Sequence, residues 1–200
     1  PGETALWTTI AVLNHNGLHR LRKVMPSLLA QDAESCEVLV LDNGSTDGSV
    51  EYLEGLEGVR LDRSPANLGY SIGKNRLMAA ARGRYVLLMD NDIELPEPDT
   101  VSRMVRSFAA LPRAAAASPL VRDVDANRVN SDGLYFNRPN RRAPVSALQG
   151  RGTVPAPRYE GHLGLMDREV FRRLGGFDET YPINLDDYDL SARAYNAGYA

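Results

Sequence analysis

The chain lacks the features that mark exported, membrane-spanning or nucleic-acid-binding proteins. Its single cysteine, Cys36, excludes a disulfide within the chain and fits a reducing compartment; because it precedes a predicted strand, we expect it in the core. No apolar run approaches the roughly 18 residues that a membrane-spanning helix needs, and the N-terminal Pro-Gly-Glu-Thr does not resemble a signal peptide. A formal net charge of −3 argues against a protein that binds nucleic acid by neutralising its phosphates.

Glycine-rich nucleotide motifs are absent as well. The segment Gly69-x-x-x-Gly73-Lys74-Asn75 has too few residues between its glycines for a P-loop, and an asparagine stands where that motif needs Ser or Thr. No Gly-x-Gly-x-x-Gly follows the first predicted strand, which argues against a dinucleotide site.

What is present is a regular alternation of strands and helices in the first half. Apolar runs predict strands at 6–13, 37–41, 59–61 and 85–90, and apolar residues at helical spacing predict helices at 18–30, 49–56, 68–82 and about 98–110. Pro26 is expected to kink or divide the first helix. A length of 200 residues suits one domain. The alternation predicts an α/β fold with a mostly parallel twisted sheet flanked by helices.

The second half is less regular. We predict a strand within 114–121, ordered structure again at 161–166, and helices at 167–174 and 186–196, the last closed by Gly198. The polar stretch 123–158 is either a solvated loop or a flap whose arginines meet an anionic substrate. Those arginines are Arg128, Arg138, Arg141, Arg142, Arg151 and Arg158.

Acidic residues gather where predicted strands end. The apolar run 86–89 leads directly into Asp90-Asn91-Asp92, and Asp42 follows the strand at 37–41. The carboxyl ends of parallel strands share one edge of the sheet, where such folds bind ligands. Two carboxylates there repel each other, so Asp90 and Asp92 indicate a hard divalent cation carrying a phosphate, with a polar turn as the alternative. Asp42 could then accept hydrogen bonds from a nucleoside.

A further acidic group, Asp186-Asp187-x-Asp189, opens the last predicted helix. The helix dipole favours acidic residues at this end. Three within four residues exceed what capping requires, so this group is a second candidate for chemistry.

Five segments, in order along the chain, resemble a known family. They are Ile10-Ala-Val-Leu-Asn-His-Asn-Gly17, Val40-Leu-Asp-Asn-Gly-Ser-Thr-Asp-Gly-Ser49, Asn67-Leu-Gly-Tyr-Ser-Ile-Gly-Lys-Asn75, Met89-Asp-Asn-Asp92, and Gly175-Gly-Phe-Asp-Glu179 followed by Leu185-Asp-Asp-Tyr-Asp-Leu190. Each is weak alone. Together they extend from about 7 to 199, and on them the chain resembles a family 2 glycosyltransferase of the GT-A fold, of an inverting and rhamnosyltransferase-like kind.

The resemblance implies a role for each matching residue. Asp187 would be the catalytic base, and Asp90 and Asp92 would hold Mg²⁺ or Mn²⁺. Asp186, which stands where the family usually has Glu, would bind the acceptor together with Gly176. The residues that would bind the nucleotide-sugar are Leu13, Asn14, His15, Asp42, Lys74, Asp90 and Asn91. Two of them have alternatives: Lys74 as an exposed helix lysine, and His15 as a packing or turn residue.

The resemblance also implies an activity and its partners. Residues 1–110 would form the nucleotide-sugar half of one catalytic domain and 111–200 the acceptor half. The enzyme would transfer a sugar from a nucleoside diphosphate-sugar to a carbohydrate or glycolipid acceptor, in polysaccharide or glycoconjugate synthesis. Its location would be cytoplasmic or at the inner face of the membrane. The alternatives are a sugar-phosphate nucleotidyltransferase and a non-catalytic nucleotide-sugar binding domain.

One family feature finds no match. The family commonly follows its last helix with another strand and a histidine that completes the metal site, whereas this sequence stops at Ala200. His19 and His162 come too early to take that position. We therefore expect a C-terminally truncated domain that binds metal and donor weakly.

Overall fold

A computed structural model describes residues 8–31, 36–111, 113–119, 121–123, 128–131, 159, 161–181 and 185–199. Its centre is a six-stranded sheet in the order β3-β2-β1-β4-β8-β5. The strands are β1 Thr8–Asn14, β2 Cys36–Asn43, β3 Val59–Ser64, β4 Tyr85–Asp90, β5 Ala116–Ala117 and β8 Leu163–Asp167. The first four run parallel, and β8 lies antiparallel to both β4 and β5. A separate antiparallel pair joins β6 Val121–Asp123 to β7 Arg128–Ser131.

Helices cover both faces of the sheet. They are α1 Leu18–Leu29, α2 Ser49–Glu54, α3 Tyr70–Ala80, α4 Thr100–Ala109, α5 Arg168–Arg173 and α6 Asp186–Asn196. Alternate residues of β1 point to opposite faces. Ile10 and Val12 belong to a core with residues of α1, α2 and α4. Ala11 belongs to a second core with residues of α3, α5 and α6. The predicted α/β fold, a mostly parallel sheet flanked by helices, is confirmed.

Several element boundaries differ from the predictions. Pro26 does not divide α1: the helix continues through this exposed residue to Leu29, without the hydrogen bond that the missing N–H of Pro26 would have donated. β2 extends through Asp42, which therefore lies within the strand instead of after it. β3 is longer than 59–61 because its residues pair with β2 as far as Ser64 opposite Asn43. The strand predicted within 114–121 shrinks to Ala116–Ala117.

The polar stretch 123–158 is described only in part. The pair of strands β6 and β7 reaches into it, where the sequence predicted a loop or flap. Arg128 lies in β7. The other five arginines named for the flap, and therefore the flap itself, lie outside the described residues. In the part of the chain that the structure describes, no helix is long and apolar enough to cross a membrane.

Candidate active site

A cleft of about 400 Å³ opens at the carboxyl ends of β1, β2 and β4. This is the sheet edge where parallel α/β folds bind ligands. Five residues predicted to hold donor or metal line it: Leu13, His15, Asp90, Asn91 and Asp92. The other lining residues are Arg20, Asn43, Asn67, Gly69 and Tyr70.

A buried chain of hydrogen bonds ties the three strand ends together behind this cleft. Asn91 donates to Asn14 Oδ1 at 2.6 Å, and Asn14 donates to Asp42 Oδ2 at 3.0 Å. The other oxygen of Asp42 accepts the backbone N–H of Ser45 at 2.9 Å. Asp42 is 1% exposed and Asn14 fully buried. Both were predicted to contact the nucleotide. The structure places them behind the lining residues, where their hydrogen bonds hold the wall of the cleft in place.

One side of the cleft is built on Asn43, the last residue of β2. Its carbonyl faces His15 Nδ1 at 2.9 Å, which requires the proton to be on that ring nitrogen. The Asn43 amide donates to Asn67 Oδ1 and accepts the backbone N–H of Leu68. The loop before α3 is thereby fastened to β2. Gly44 makes this possible, because with φ +77° it lies so close to the loop that a Cβ would be 2.6 Å from the carbonyl carbon of Ala66.

Asp90 and Asp92 differ in environment. Asp92 is exposed, whereas Asp90 is half-buried and accepts a 2.5 Å hydrogen bond from the Tyr70 hydroxyl. Burial raises the pKa of Asp90, although Lys74 and Tyr70 act against it. Burial and the nearby Asp90 raise the pKa of Tyr70, so Tyr70 keeps its proton and remains a donor.

The residues present fit a divalent cation that arrives with a phosphate. No group of three His, Cys, Asp or Glu side chains surrounds a single position among the described residues. Mg²⁺ in phosphate-handling sites is commonly held by one or two carboxylates, with phosphate oxygens and waters completing its shell. Asp90 and Asp92 supply that number and kind of donor at the cleft.

The second acidic group reaches the same region from α6. Leu185, in the left-handed region with φ 70°, turns the chain into this helix. Asp187 Oδ2 accepts the backbone N–H of Gly161 at 3.4 Å, and the carbonyl of the next residue, His162, accepts that of Asp90 at 3.0 Å. The two predicted acidic centres are thus joined through Gly161 and His162.

Besides Asn14 and Asp42, four predicted residues are absent from the cleft lining: Asp187, Lys74, Asp186 and Gly176. Lys74 and Asp186 are buried, with 3.7 Å between the ammonium nitrogen and Asp186 Oδ2. Gly176 forms a turn after α5, and its carbonyl accepts a 2.7 Å hydrogen bond from Arg193. Their packing brings α3 and α6 together.

Arg20 and Tyr70 line the cleft but carried no role in the sequence analysis. Arg20 lies in the first turn of α1, which begins soon after β1 ends. Its position near the start of a helix that follows a strand could have indicated that it lies at the cleft. Tyr70 is the first residue of α3 and lies inside the Asn-Leu-Gly segment, where only Lys74 was assigned a contact. Reading the first turn of each helix that follows a strand would have found both.

The fold is of the GT-A class, and its cleft lies at the carboxyl ends of the parallel strands. The model of glycosyl transferase family 2 matches residues 9–175. The chain belongs to this family and is a glycosyltransferase.

Known proteins agree with this assignment. N-acetylglucosaminyl-diphospho-decaprenol L-rhamnosyltransferase of Mycobacterium tuberculosis is 29% identical over 98% of this chain and 72% of its own length. Mannosyltransferase PcManGT from Pyrobaculum calidifontis, solved in complex with GDP-Man and Mn²⁺, superposes with a TM-score of 0.68 at 24% identity, over 96% of this chain and 52% of its own. GalNAc-T7, solved with UDP, GalNAc and Mn²⁺, superposes with a TM-score of 0.76 at 19% identity, over 99% and 42%. The chain thus spans about half the length of these solved structures.

Proposed function

We propose that this glycosyltransferase moves a sugar from a nucleoside diphosphate-sugar to an acceptor hydroxyl with inversion of the anomeric centre. Asp90 and Asp92 would hold Mg²⁺ or Mn²⁺ with the diphosphate, and Asp187 would be the base. One observation carries the proposal. Asp187 is connected to Asp90 through the two adjacent residues Gly161 and His162, so base and diphosphate site are neighbours.

Each group has a distinct task in this reaction. A bound Mg²⁺ or Mn²⁺ would offset, as a Lewis acid, the negative charge that develops on the leaving diphosphate. The cleft residues Leu13 and His15 would hold the nucleoside, and Tyr70 would keep the Asp90 carboxylate in one orientation through its hydroxyl. The half-buried Asp187 would take the proton of the acceptor hydroxyl as that oxygen attacks the sugar from the face opposite the diphosphate.

The substrates we propose follow the relatives. The mycobacterial relative is named as an L-rhamnosyltransferase that acts on a sugar linked through diphosphate to decaprenol. We therefore place rhamnose first among donor sugars and a lipid-linked or polysaccharide acceptor first among acceptors. Such an acceptor would place the enzyme at the inner face of the membrane.

The test measures binding and turnover separately. Nucleoside diphosphate release is followed with a panel of nucleotide-sugars, with Mn²⁺ and with EDTA, for the wild type, Asp187→Asn and the control Asp99→Asn, whose half-exposed carboxylate does not line the cleft. We expect metal-dependent release by the wild type and the control. In Asp187→Asn, release should fall by about 100-fold or more, the usual effect of losing a general base, with donor affinity unchanged by calorimetry.

Other outcomes decide against parts of the proposal. Full turnover in Asp187→Asn would remove that residue as the base. Donor binding without release, with every acceptor tried, would favour a nucleotide-sugar binding domain. Release of inorganic diphosphate on adding a nucleoside triphosphate and a sugar phosphate would identify a nucleotidyltransferase. Proton NMR of the product would show whether the anomeric centre is inverted.

A further inference from the structure

Lys74 is a charged side chain in the interior of the molecule. It lies in the middle of α3, it is 1% exposed, and its ammonium group is therefore removed from water. Burial lowers the pKa of Lys74, and the three neighbouring carboxylates of Asp90, Asp186 and Asp187 act in the opposite direction. A cation buried in this way is retained only where good partners surround it.

The partners of Lys74 come from both halves of the site. Its Nζ donates to the carbonyl of Gly161 at 2.5 Å and lies 3.7 Å from Asp186 Oδ2. The same nitrogen lies 3.7 Å from the centroid of the Tyr70 ring, a cation–π distance. Tyr70 in turn donates to Asp90. The ammonium group of Lys74 therefore contacts Tyr70, which holds Asp90, and lies close to Asp186, the first residue of α6.

Gly161 extends this link to the proposed base. Its carbonyl accepts from Lys74, while its N–H donates to Asp187 Oδ2 at 3.4 Å. Because both hydrogen bonds are made by backbone atoms of the same residue, Gly161, a shift of Lys74 would be passed to Asp187. Asp186, 2% exposed, has no charged partner other than Lys74 among the ion pairs of the described residues.

We propose that Lys74 is a positioning residue that ties α3 to the start of α6 and to Gly161, and so holds Asp187 beside the diphosphate site without touching the nucleotide. This inference rests on the proposed function for its link to turnover. Its structural part, the pairing of Lys74 with Asp186, can be tested without any activity. It also replaces the expected contact between Lys74 and the nucleotide, because the ammonium lies beneath the Tyr70 ring and is absent from the cleft lining.

A double-mutant cycle tests the pairing. Lys74→Met removes the charge and keeps much of the side-chain length, and Asp186→Asn removes the opposing charge. Lys23→Met is the matched control, since Lys23 is exposed on α1. We expect Lys74→Met to lower Tm by on the order of 10 °C, as breaking a buried pair does in a domain of this size. The double variant should recover a large part of that loss, since it leaves no unpaired buried charge.

Binding and exchange measurements test the positioning. Affinity of Lys74→Met for UDP, GDP, ADP, CDP and dTDP with Mn²⁺ should stay within about twofold of the wild type. Nucleoside diphosphate release should lose kcat with donor KM unchanged. Amide hydrogen exchange should rise at Gly161 and at the first turn of α6, and not in α1. If the wild type binds none of these nucleotides, the proposed function is contradicted. The double-mutant cycle would still test whether Lys74 and Asp186 form a pair.

Two results would overturn the inference. Additive Tm losses in Lys74→Met and Asp186→Asn would show that the two side chains do not depend on each other. A loss of nucleoside diphosphate affinity in Lys74→Met, without faster amide exchange at Gly161 or α6, would show that Lys74 contacts the nucleotide directly.

Discussion

Arg20 brings a guanidinium group to a cleft that is otherwise lined by acidic and neutral polar residues, His15 and the apolar Leu13. It is exposed and stands in the first turns of α1, close to the carboxyl ends of the strands. A guanidinium group can bind phosphate oxygens through two parallel hydrogen bonds. Arg20 is therefore the described residue best suited to meet the diphosphate of a donor from the protein side.

Replacing Arg20 tests this contact. We expect Arg20→Ala to weaken nucleoside diphosphate binding about tenfold, because a hydrogen bond to a charged group contributes about 1.5 kcal/mol or more. The measurement is calorimetric titration with Mn²⁺ present. Arg22→Ala serves as the control, since Arg22 is exposed on the same helix and does not line the cleft. Equal affinities of the two variants would show that Arg20 does not contact the nucleotide.

The cleft residues that lie at the carboxyl ends of parallel strands could be predicted from the sequence. Asp90 ends a buried strand and Asp92 lies two residues later, and the carboxyl end of such a strand reaches the binding edge of a parallel sheet. Lys74 was not predictable in this way. Whether a helix lysine is exposed depends on what packs over it, and here that is Gly161 and Asp186, from segments more than 80 residues further along the chain.

At the scale of elements, Glu37 fastens four segments at the end of the sheet opposite the cleft. From β2 it accepts hydrogen bonds from Thr9 in β1 at 2.7 Å and from Arg60 in β3 at 3.0 Å. It also accepts the backbone N–H of Arg82, just after α3, at 2.7 Å. Burial alone would raise the pKa of Glu37, but these hydrogen bonds, with that from Arg60 first, hold it below its usual 4.5.

The lowered pKa fixes the pH dependence of this contribution. A depressed pKa means that the carboxylate stabilises the fold above the unfolded-state pKa, and that this stabilisation disappears as the pH falls through the folded-state pKa. We expect Glu37→Gln to reduce the free energy of unfolding by about 2 kcal/mol at pH 7. The difference from the wild type should shrink progressively below about pH 4.5.

Urea denaturation at several pH values measures this effect. Glu57→Gln is the control, because Glu57 is exposed in the turn before β3. A difference between wild type and Glu37→Gln that stays constant from pH 7 to pH 3 would show that the charge of Glu37 does not contribute to stability.

Element boundaries were less predictable than element types. The six helices and four parallel strands of the described residues were all expected near their observed positions. β3 and β5 were misjudged because strand length follows pairing with neighbours: β3 gains three residues against β2, and β5 has only the short pairing with β8. The antiparallel direction of β8 is set by its pairing with β4, more than 70 residues earlier in the chain, which no local pattern records.

At the scale of the whole molecule, the two cores lie on opposite faces of one sheet, and the site lies where strands from that sheet meet α6. The donor-side acids belong to β4 and its following turn, and the proposed base belongs to α6 on the other side of Gly161. A nucleotide bound at Leu13 and His15 together with a metal ion at Asp90 and Asp92 would stabilise β1 and β4, which are far apart in sequence. Such stabilisation appears in the thermal unfolding of the entire chain.

The metal and the nucleotide should consequently stabilise the protein only together. In the proposed site two carboxylates, Asp90 and Asp92, would hold the cation, and the described residues offer no group of three ligands, so the diphosphate would complete the coordination. We expect Mn²⁺ alone and the preferred nucleoside diphosphate alone each to raise Tm by less than about 1 °C, and both together by about 4 °C or more, as ligand at 100 times its Kd would do. Asp92→Asn should abolish the joint effect while its Tm without ligand stays close to that of the wild type, since Asp92 is exposed. Equal shifts with and without Mn²⁺ would mean that the nucleotide binds through protein groups alone, and metal dependence would then have to be abandoned.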